Sequence, residues 1–329
     1  MHSNAASPGD TVGIARMAAN SMKLKEKQSA EYFLLPTHSI LNPCTSPRLP
    51  FRWTINPYRG CEFGCKYCYA RYTHEFMGLD DPLDFEEKIY SKQDAGKILR
   101  RELARDPAGE IALGTATDPY QPAERLYGTT RAILETLNEF RGLRVSITTK
   151  SDLIMRDIPL LREFARENHL RIHLTITTLR EDLARLLEPR APRPELRLKA
   201  VRALADAGIH VSVFAMPVLP EITDGHGELE MLAERAAAAG ASYLAVNVLF
   251  LQPSAKAAFL PFLKEQFPHL MLRYERLYSS GPYLRGDYER QLQERVAALR
   301  AKHGLNGRSD DTVLQPFAAR SQLTLFAGG

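Results

Sequence analysis

Three of the four cysteines in this 329-residue chain lie within eight residues, in the segment Asn56-Pro-Tyr-Arg-Gly-Cys61-Glu-Phe-Gly-Cys65-Lys-Tyr-Cys68-Tyr69-Ala-Arg71. Cysteines crowded in this way make a poor disulfide framework and point to metal in a reducing compartment. Three thiolates on one short loop can take three corners of an iron-sulfur cubane, which leaves the fourth iron without a protein ligand and open to chemistry. Two other readings of the same residues stay open at this point. A structural zinc site would draw its fourth ligand from His74, six residues after Cys68. A four-cysteine electron-transfer cluster would recruit Cys44, seventeen residues before Cys61, which is otherwise a plain free or buried thiol.

A loop of this kind needs a scaffold, and the chain beyond Trp53 alternates β-type runs with helical patterns. The runs read 110–117, 144–150, 170–178, 210–218 and 243–251. Between them, 124–141 and 193–207 carry apolar residues at helical spacing, the second ending at Gly208. Repeated strand-helix alternation implies a parallel sheet or barrel. Val145 and Ile147 alternate with Ser146, Thr148 and Lys150, and Ile172, Leu174 and Ile176 alternate with His173, Thr175 and Thr177. A parallel sheet covered on both faces would read as continuous apolar runs, so the alternation predicts a barrel-like arrangement with a polar lumen. Antiparallel edge strands facing water are the competing explanation, disfavoured by the helices between the strands. In a barrel the site lies at the C-terminal strand ends, here Thr115 to Asp118, Lys150, Thr177, Met216 and Asn247. Residues 1–30 lack apolar periodicity and read as a flexible arm, 31–252 as the core domain, and 253–329 as a helical extension with helices over 255–267 and 288–302 and a patternless tail from Ser309.

The composition excludes disordered, collagenous and membrane-bundle classes: 44% of residues are hydrophobic, 25% are charged, and 43 Lys+Arg face 39 Asp+Glu. The net charge of +4 falls short of a nucleic-acid-binding footprint. No basic region followed by an apolar one opens the sequence, and the longest apolar stretch, Ala236 to Leu251, is broken by Gly240, Ser242 and Asn247. These features predict a cytoplasmic protein with no membrane partner.

The cysteine spacing, with the aromatic Tyr67 just before the last cysteine, resembles the signature of the radical S-adenosylmethionine superfamily. Trp53-Thr-Ile-Asn-Pro-Tyr-Arg-Gly-Cys61, Cys68-Tyr-Ala-Arg-Tyr-Thr-His-Glu75, Thr115-Ala-Thr-Asp-Pro-Tyr-Gln-Pro-Ala-Glu124 and Glu188-Pro-Arg-Ala-Pro192 are similar to its bacterial branch related to spore photoproduct lyase. The resemblance implies an α/β fold, a partial (β/α)6 TIM-like barrel of radical S-adenosylmethionine type with a C-terminal helical extension. It implies a [4Fe-4S] cluster and S-adenosyl-L-methionine as cofactors, with cleavage to a 5'-deoxyadenosyl radical that abstracts hydrogen from a substrate.

The same resemblance assigns roles residue by residue. Cys61, Cys65 and Cys68 would be the cluster ligands, and Tyr67 would contact the adenine, partly through its backbone. Tyr69 would act near the methionine moiety or as a radical relay. Thr115, Ala116 and Thr117 would hold the cofactor's amino group, Lys150 its carboxylate and Thr175 its ribose, while Arg197 would pair with a cofactor carboxylate. Arg71, His74, Glu75, Asp118, Tyr120 and Gln121 would face the substrate. The implied partners are an unidentified substrate, with nucleic acid one option, and a low-potential electron donor such as flavodoxin or ferredoxin. The alternative is a non-catalytic iron-sulfur redox sensor or nucleic-acid-binding protein. One departure matters. Spore photoproduct lyase returns a hydrogen atom from an additional cysteine near the end of its second strand, whereas Leu113-Gly-Thr-Ala-Thr-Asp118 offers only hydroxyls and no cysteine follows Cys68. This argues against thymine-dimer repair as the activity; Cys44, Tyr69 or Tyr72 would have to substitute.

Overall fold

The computed structural model describes residues 13–27, 30–47, 49–79, 81–105, 108–225, 227–284, 286–307 and 318–319. Six strands, β1 Trp53–Ile55, β2 Ile111–Leu113, β3 Arg144–Thr149, β4 His169–Thr175, β5 Val211–Val218 and β6 Tyr243–Val248, lie side by side in chain order. Every neighbouring pair is parallel. Helices connect them, as parallel strands require, so the architecture is the partial (β/α)6 barrel. Asn42–Pro43 adds an antiparallel edge to β1.

The alternation within the strands has the expected cause. Val145, Ile147, Ile172, Leu174, Val211 and Val213 are buried in one apolar cluster with helix residues such as Ile133, Leu134, Leu161, Val201 and Leu232. The opposite parity carries polar groups that satisfy one another in the interior: Arg171 pairs with Glu110, and the His173 ring stacks on Phe214 with centroids 4.2 Å apart. The helix Pro194–Asp206 ends at the predicted stop, with Gly208 at φ +76°. The pattern over 124–141 is instead split into Glu124–Tyr127 and Thr129–Leu137 around Gly128, whose φ of +61° breaks the helical path.

The N-terminal arm differs from the sequence expectation, while the C-terminal helices expected over 255–267 and 288–302 are present. Much of the loose arm expected at 1–30 is built into structure: Gly13–Ala19 is a helix, and Met22–Lys27 is a strand paired antiparallel with Ala30–Leu35. Those strands join Lys88–Lys92 and Tyr58–Arg59 in a second, four-stranded sheet. The ordering comes from partners dozens of residues away, which local periodicity does not register. The chain after β6 forms helices Pro253–Gln266, Met271–Leu277 and Asp287–His303. The last packs on β6 and on the helix Glu228–Ala238, burying Leu292, Val296 and Leu299 in the barrel core. The expected tail from Ser309 lies outside the described residues except Ala318–Ala319. Among the described residues no helix is long and apolar enough to cross a membrane.

The turn after β2 is fixed by Glu124, which is 1% exposed. Its carboxylate accepts from the Tyr58 hydroxyl at 2.6 Å, the Thr130 and Arg131 amides at 2.8 and 3.1 Å, and Arg156 at 2.7 Å. Removing one partner of a buried charged network costs about 3–5 kcal/mol. Glu124→Ala is therefore expected to lower the stability of the chain by about 3 kcal/mol in urea titrations, with secondary structure kept in the remaining folded fraction.

Candidate functional site

The loop carrying the three cysteines leaves the short strand Tyr58–Arg59 and crosses the C-terminal ends of the barrel strands. Two glycines let it fold. Gly60 has φ +78°, and a Cβ there would lie 2.6 Å from the Lys88 carbonyl oxygen; Gly64 has φ +64°, and a Cβ there would strike the Glu86 carboxylate. The loop is then gripped from three sides. From its own sheet, the Cys61 amide donates to the Phe85 carbonyl at 2.8 Å and Tyr32 donates to Glu62 at 2.7 Å. From the turn after β2, Thr117 and the Gln121 amide donate to the Gly60 carbonyl at 2.6 and 3.0 Å, while the Glu62 amide donates back to Gln121 at 3.0 Å. From the segment after β4, the Leu187 carbonyl accepts from the Lys66 amide at 2.9 Å, and the Arg190 amide donates to the Phe63 carbonyl at 3.2 Å.

All three thiols are unpaired. Burial pushes each above the ordinary thiol range, Cys65 to about 12, which is the protonated resting state that metal binding would reverse. Among the described residues the two sequence candidates for a fourth ligand sit elsewhere. The His74 ring bonds the Lys88 carbonyl at 3.1 Å and packs edge-on against Phe85, and the amide of Cys44 is tied to the Arg52 carbonyl at 2.8 Å, beside the edge strand Asn42–Pro43. The donor set therefore fits a cluster held by three thiolates.

Beneath the loop sits a charged network centred on Glu188, a residue the sequence reading quoted without a role. Glu188 is buried and ion-paired with the equally buried Arg197; its other oxygen accepts from Tyr67 and, at 2.9 Å, from Thr177. Lys150 lies 3.9 Å away, with its ammonium 5.7 Å from the centre of the Tyr67 ring. Burial alone would raise the Glu188 carboxyl, but Arg197 and Lys150 outweigh it and hold it below the usual carboxylate range. Burial opposes the charge on Lys150, and Cys65 and Glu188 outweigh that in turn. Glu188 and Asp118 balance Arg197 and Lys150, and the Lys150 ammonium, 3.9 Å from Glu188, is held less closely than the Arg197 guanidinium. Asp118 fixes its backbone, accepting from the Lys150 amide and the Thr149 hydroxyl at 2.7 Å each.

The structure sorts the remaining sequence candidates. Arg197 spends its guanidinium on Glu188, the Pro192 carbonyl and the Thr175 carbonyl, so its anionic partner is a carboxylate of the chain rather than of a cofactor. Gln121, Thr117 and Arg71 clamp the cysteine loop, Arg71 through the Cys65 carbonyl at 3.1 Å. Tyr120 is buried in the barrel core and His74 in the small sheet's packing, so neither faces an open mouth. The Tyr67 hydroxyl is turned down onto Glu188, which leaves its backbone for any cofactor contact. Thr175 is buried at the end of β4. Tyr69 and Glu75 are exposed; the Tyr69 hydroxyl bonds the Thr115 carbonyl and its ring lies 5.0 Å from Phe250. Asn56, missed in the sequence, donates to Thr115 at 3.1 Å and accepts from the Ala116 amide at 2.8 Å. Its signal was available: it stands one residue past β1, where barrel strands present their functional ends.

Comparison with known proteins follows this geometry. A model of the Radical SAM superfamily matches residues 55–236. An uncharacterized protein of Mycobacterium tuberculosis, Rv2578c, is 40% identical over 261 residues, covering 79% of this chain and 76% of that protein. An uncharacterized protein of Methanocaldococcus jannaschii, MJ0683, is 29% identical over 184 residues, covering 56% of this chain and 66% of its own. Among solved structures, spore photoproduct lyase complexed with dinucleoside spore photoproduct superposes with a TM-score of 0.62 at 15% identity, covering 83% of this chain and 79% of that one. A variant of the lyase with bound AdoMet and the same dinucleoside gives 0.63 at 16% identity, covering 90% and 86%.

Two outcomes are expected from this geometry. Gly60→Ala forces a left-handed residue into a carbonyl and should destabilise the chain by about 2 kcal/mol in chemical denaturation. Burial holds the His74 ring at a pKa of about 4. Its fold stabilisation is thus complete above pH 6.5 and is lost as the pH falls toward 4, by up to about 3 kcal/mol. A His74→Gln variant should show a shallower loss of urea stability across that window.

Proposed function

Because the chain belongs to the radical S-adenosylmethionine superfamily, we propose that Cys61, Cys65 and Cys68 hold a [4Fe-4S] cluster and that the protein acts as an enzyme on an unidentified substrate at the barrel mouth. A cluster of that kind, once reduced with S-adenosylmethionine bound to its open iron, supplies a 5'-deoxyadenosyl radical capable of hydrogen abstraction. The observation that carries the reading is the set of three unpaired thiols on one clamped loop, with the Lys150 ammonium beside them and His74 engaged elsewhere. That engagement weighs against the full protein ligand set a non-catalytic sensor needs.

The chain's own residues have separable tasks. Lys150, with its backbone fixed by Asp118 and its ammonium held 3.9 Å from Glu188, takes the cofactor carboxylate. Tyr67 buttresses the floor through its hydroxyl and leaves the backbone near Cys68 for the adenine. Asn56 orients the Thr115–Thr117 segment toward the amino group, and Thr175 stands at the strand end assigned to the ribose. Tyr69, exposed at the rim beside Phe250, faces the substrate. Excluding water from this pocket strengthens every one of these contacts. The dinucleoside in the similar lyase makes nucleic acid one candidate substrate class, and the hydroxyl-only end of β2 sets hydrogen return apart from that enzyme. The reductant is a low-potential donor such as flavodoxin or ferredoxin, and the location is cytoplasmic.

The test is anaerobic reconstitution with iron and sulfide, reduction, addition of S-adenosylmethionine and quantification of 5'-deoxyadenosine. The intact protein is expected to release it and Cys65→Ala is not; zinc in place of iron in metal analysis would overturn the reading. Lys150→Met should weaken S-adenosylmethionine binding about 10- to 100-fold in equilibrium dialysis, the range for losing one charge-assisted contact to a carboxylate.

A further inference from the structure

We propose that Arg59 and Lys92, on one face of the small four-stranded sheet beside the cysteine loop, form a binding site for a phosphate-class anion. The site goes beyond the reaction above and stands whether or not that reaction occurs. The register places the two side chains together. Arg59 pairs across the sheet with Tyr90, so it shares a face with Tyr90 and Lys92, and the Lys92 amide donates to the Pro57 carbonyl at 3.2 Å. Lys92 is only 5% exposed, and Arg59 is half-buried with its Nε enclosed and without a hydrogen-bond acceptor.

Among the described residues neither cation has an ion-pair partner. Glu102, whose carboxylate accepts the Ile40 and Leu41 amides at 3.0 Å, lies near enough to offset part of the Lys92 charge, and Asp84 is paired with Lys88 at 2.9 Å. Burial and the neighbouring Arg59 bring Lys92 down to about 7. Two like charges withdrawn from water repel each other and each carries a desolvation cost of several kcal/mol, which an anion between them would offset. A planar guanidinium fork beside a compact ammonium is the pairing that recognises phosphoryl oxygens. Tyr72 lies near enough to Arg59 to interact with its charge and meets Phe76 edge-on at 5.8 Å; both rings are exposed. Because Arg59 is two residues before Cys61, an anion held here would sit beside the barrel mouth.

The experiment uses the full chain reconstituted with iron and sulfide, melted in buffers of equal ionic strength containing chloride, inorganic phosphate or dimethyl phosphate. At about ten times the dissociation constant, phosphate is expected to raise the midpoint by about 3 °C over chloride. Lys92→Met should abolish that rise and melt in chloride at or above the parent, because it removes a buried cation whose burial and repulsion from Arg59 outweigh the attraction of Glu102, and Lys92→Arg should keep the rise. A response to inorganic phosphate alone identifies a terminal phosphate, and an equal response to dimethyl phosphate identifies a phosphodiester; either supports the site. No rise with either anion, an undiminished rise in Lys92→Met, or a Lys92→Met protein that melts lower in chloride would overturn it.

Discussion

A carboxylate sealed away from water is tolerable only if enough positive charge and enough donors surround it, and the arrangement around Glu188 depends on meeting that condition. Arg197 supplies the charge, Tyr67 and Thr177 supply donors, and Lys150 adds a second cation that also faces the neighbouring Asp118. These partners come from the cysteine loop, the end of β3, the end of β4 and the helix Pro194–Asp206. The requirement to satisfy one buried charge therefore fixes four separate pieces of chain relative to one another. The Lys150 ammonium, 3.9 Å from Glu188, is what the site offers to an anionic ligand.

The barrel makes this possible by separating two jobs. Its apolar parity packs against helices and carries the stability, while its polar parity faces inward and is free to vary in chemistry from the Glu110–Arg171 pair upward to the strand ends. The small sheet adds something the barrel lacks: it delivers the cysteine loop from a rigid edge, so that Cys61 enters with its amide already bonded to Phe85.

Much of this was legible in the sequence. The strand-helix alternation and the parity of 144–150 and 170–178 came from local period, and the cysteine spacing announced its own chemistry. What local patterns did not carry was the identity of partners far apart in sequence. Arg197 reads as an available cation until Glu188, nine residues earlier but in a separate turn, is seen to claim it. Gln121 and Arg71 read as polar groups near a mouth until the loop carbonyls they hold are in place. The strand Met22–Lys27 is strongly charged and finds its order only through pairing. Polar residues near a site therefore divided into floor and opening by burial, which spacing does not encode.

The grip on the cysteine loop also has an order in time. Its holders lie at residues 30–35, 85–92, 117–121 and 187–190, with Arg197 completing the floor. As the chain leaves the ribosome, the cysteines emerge more than a hundred residues before the last of these. In the finished fold Cys61 and Cys65 are only 8% and 9% exposed. The thiols are thus accessible during synthesis and closed in unequally afterwards, with Cys61 and Cys65 buried and Cys68 left partly open, so in the finished fold Cys68 is the most accessible of the three to arriving iron.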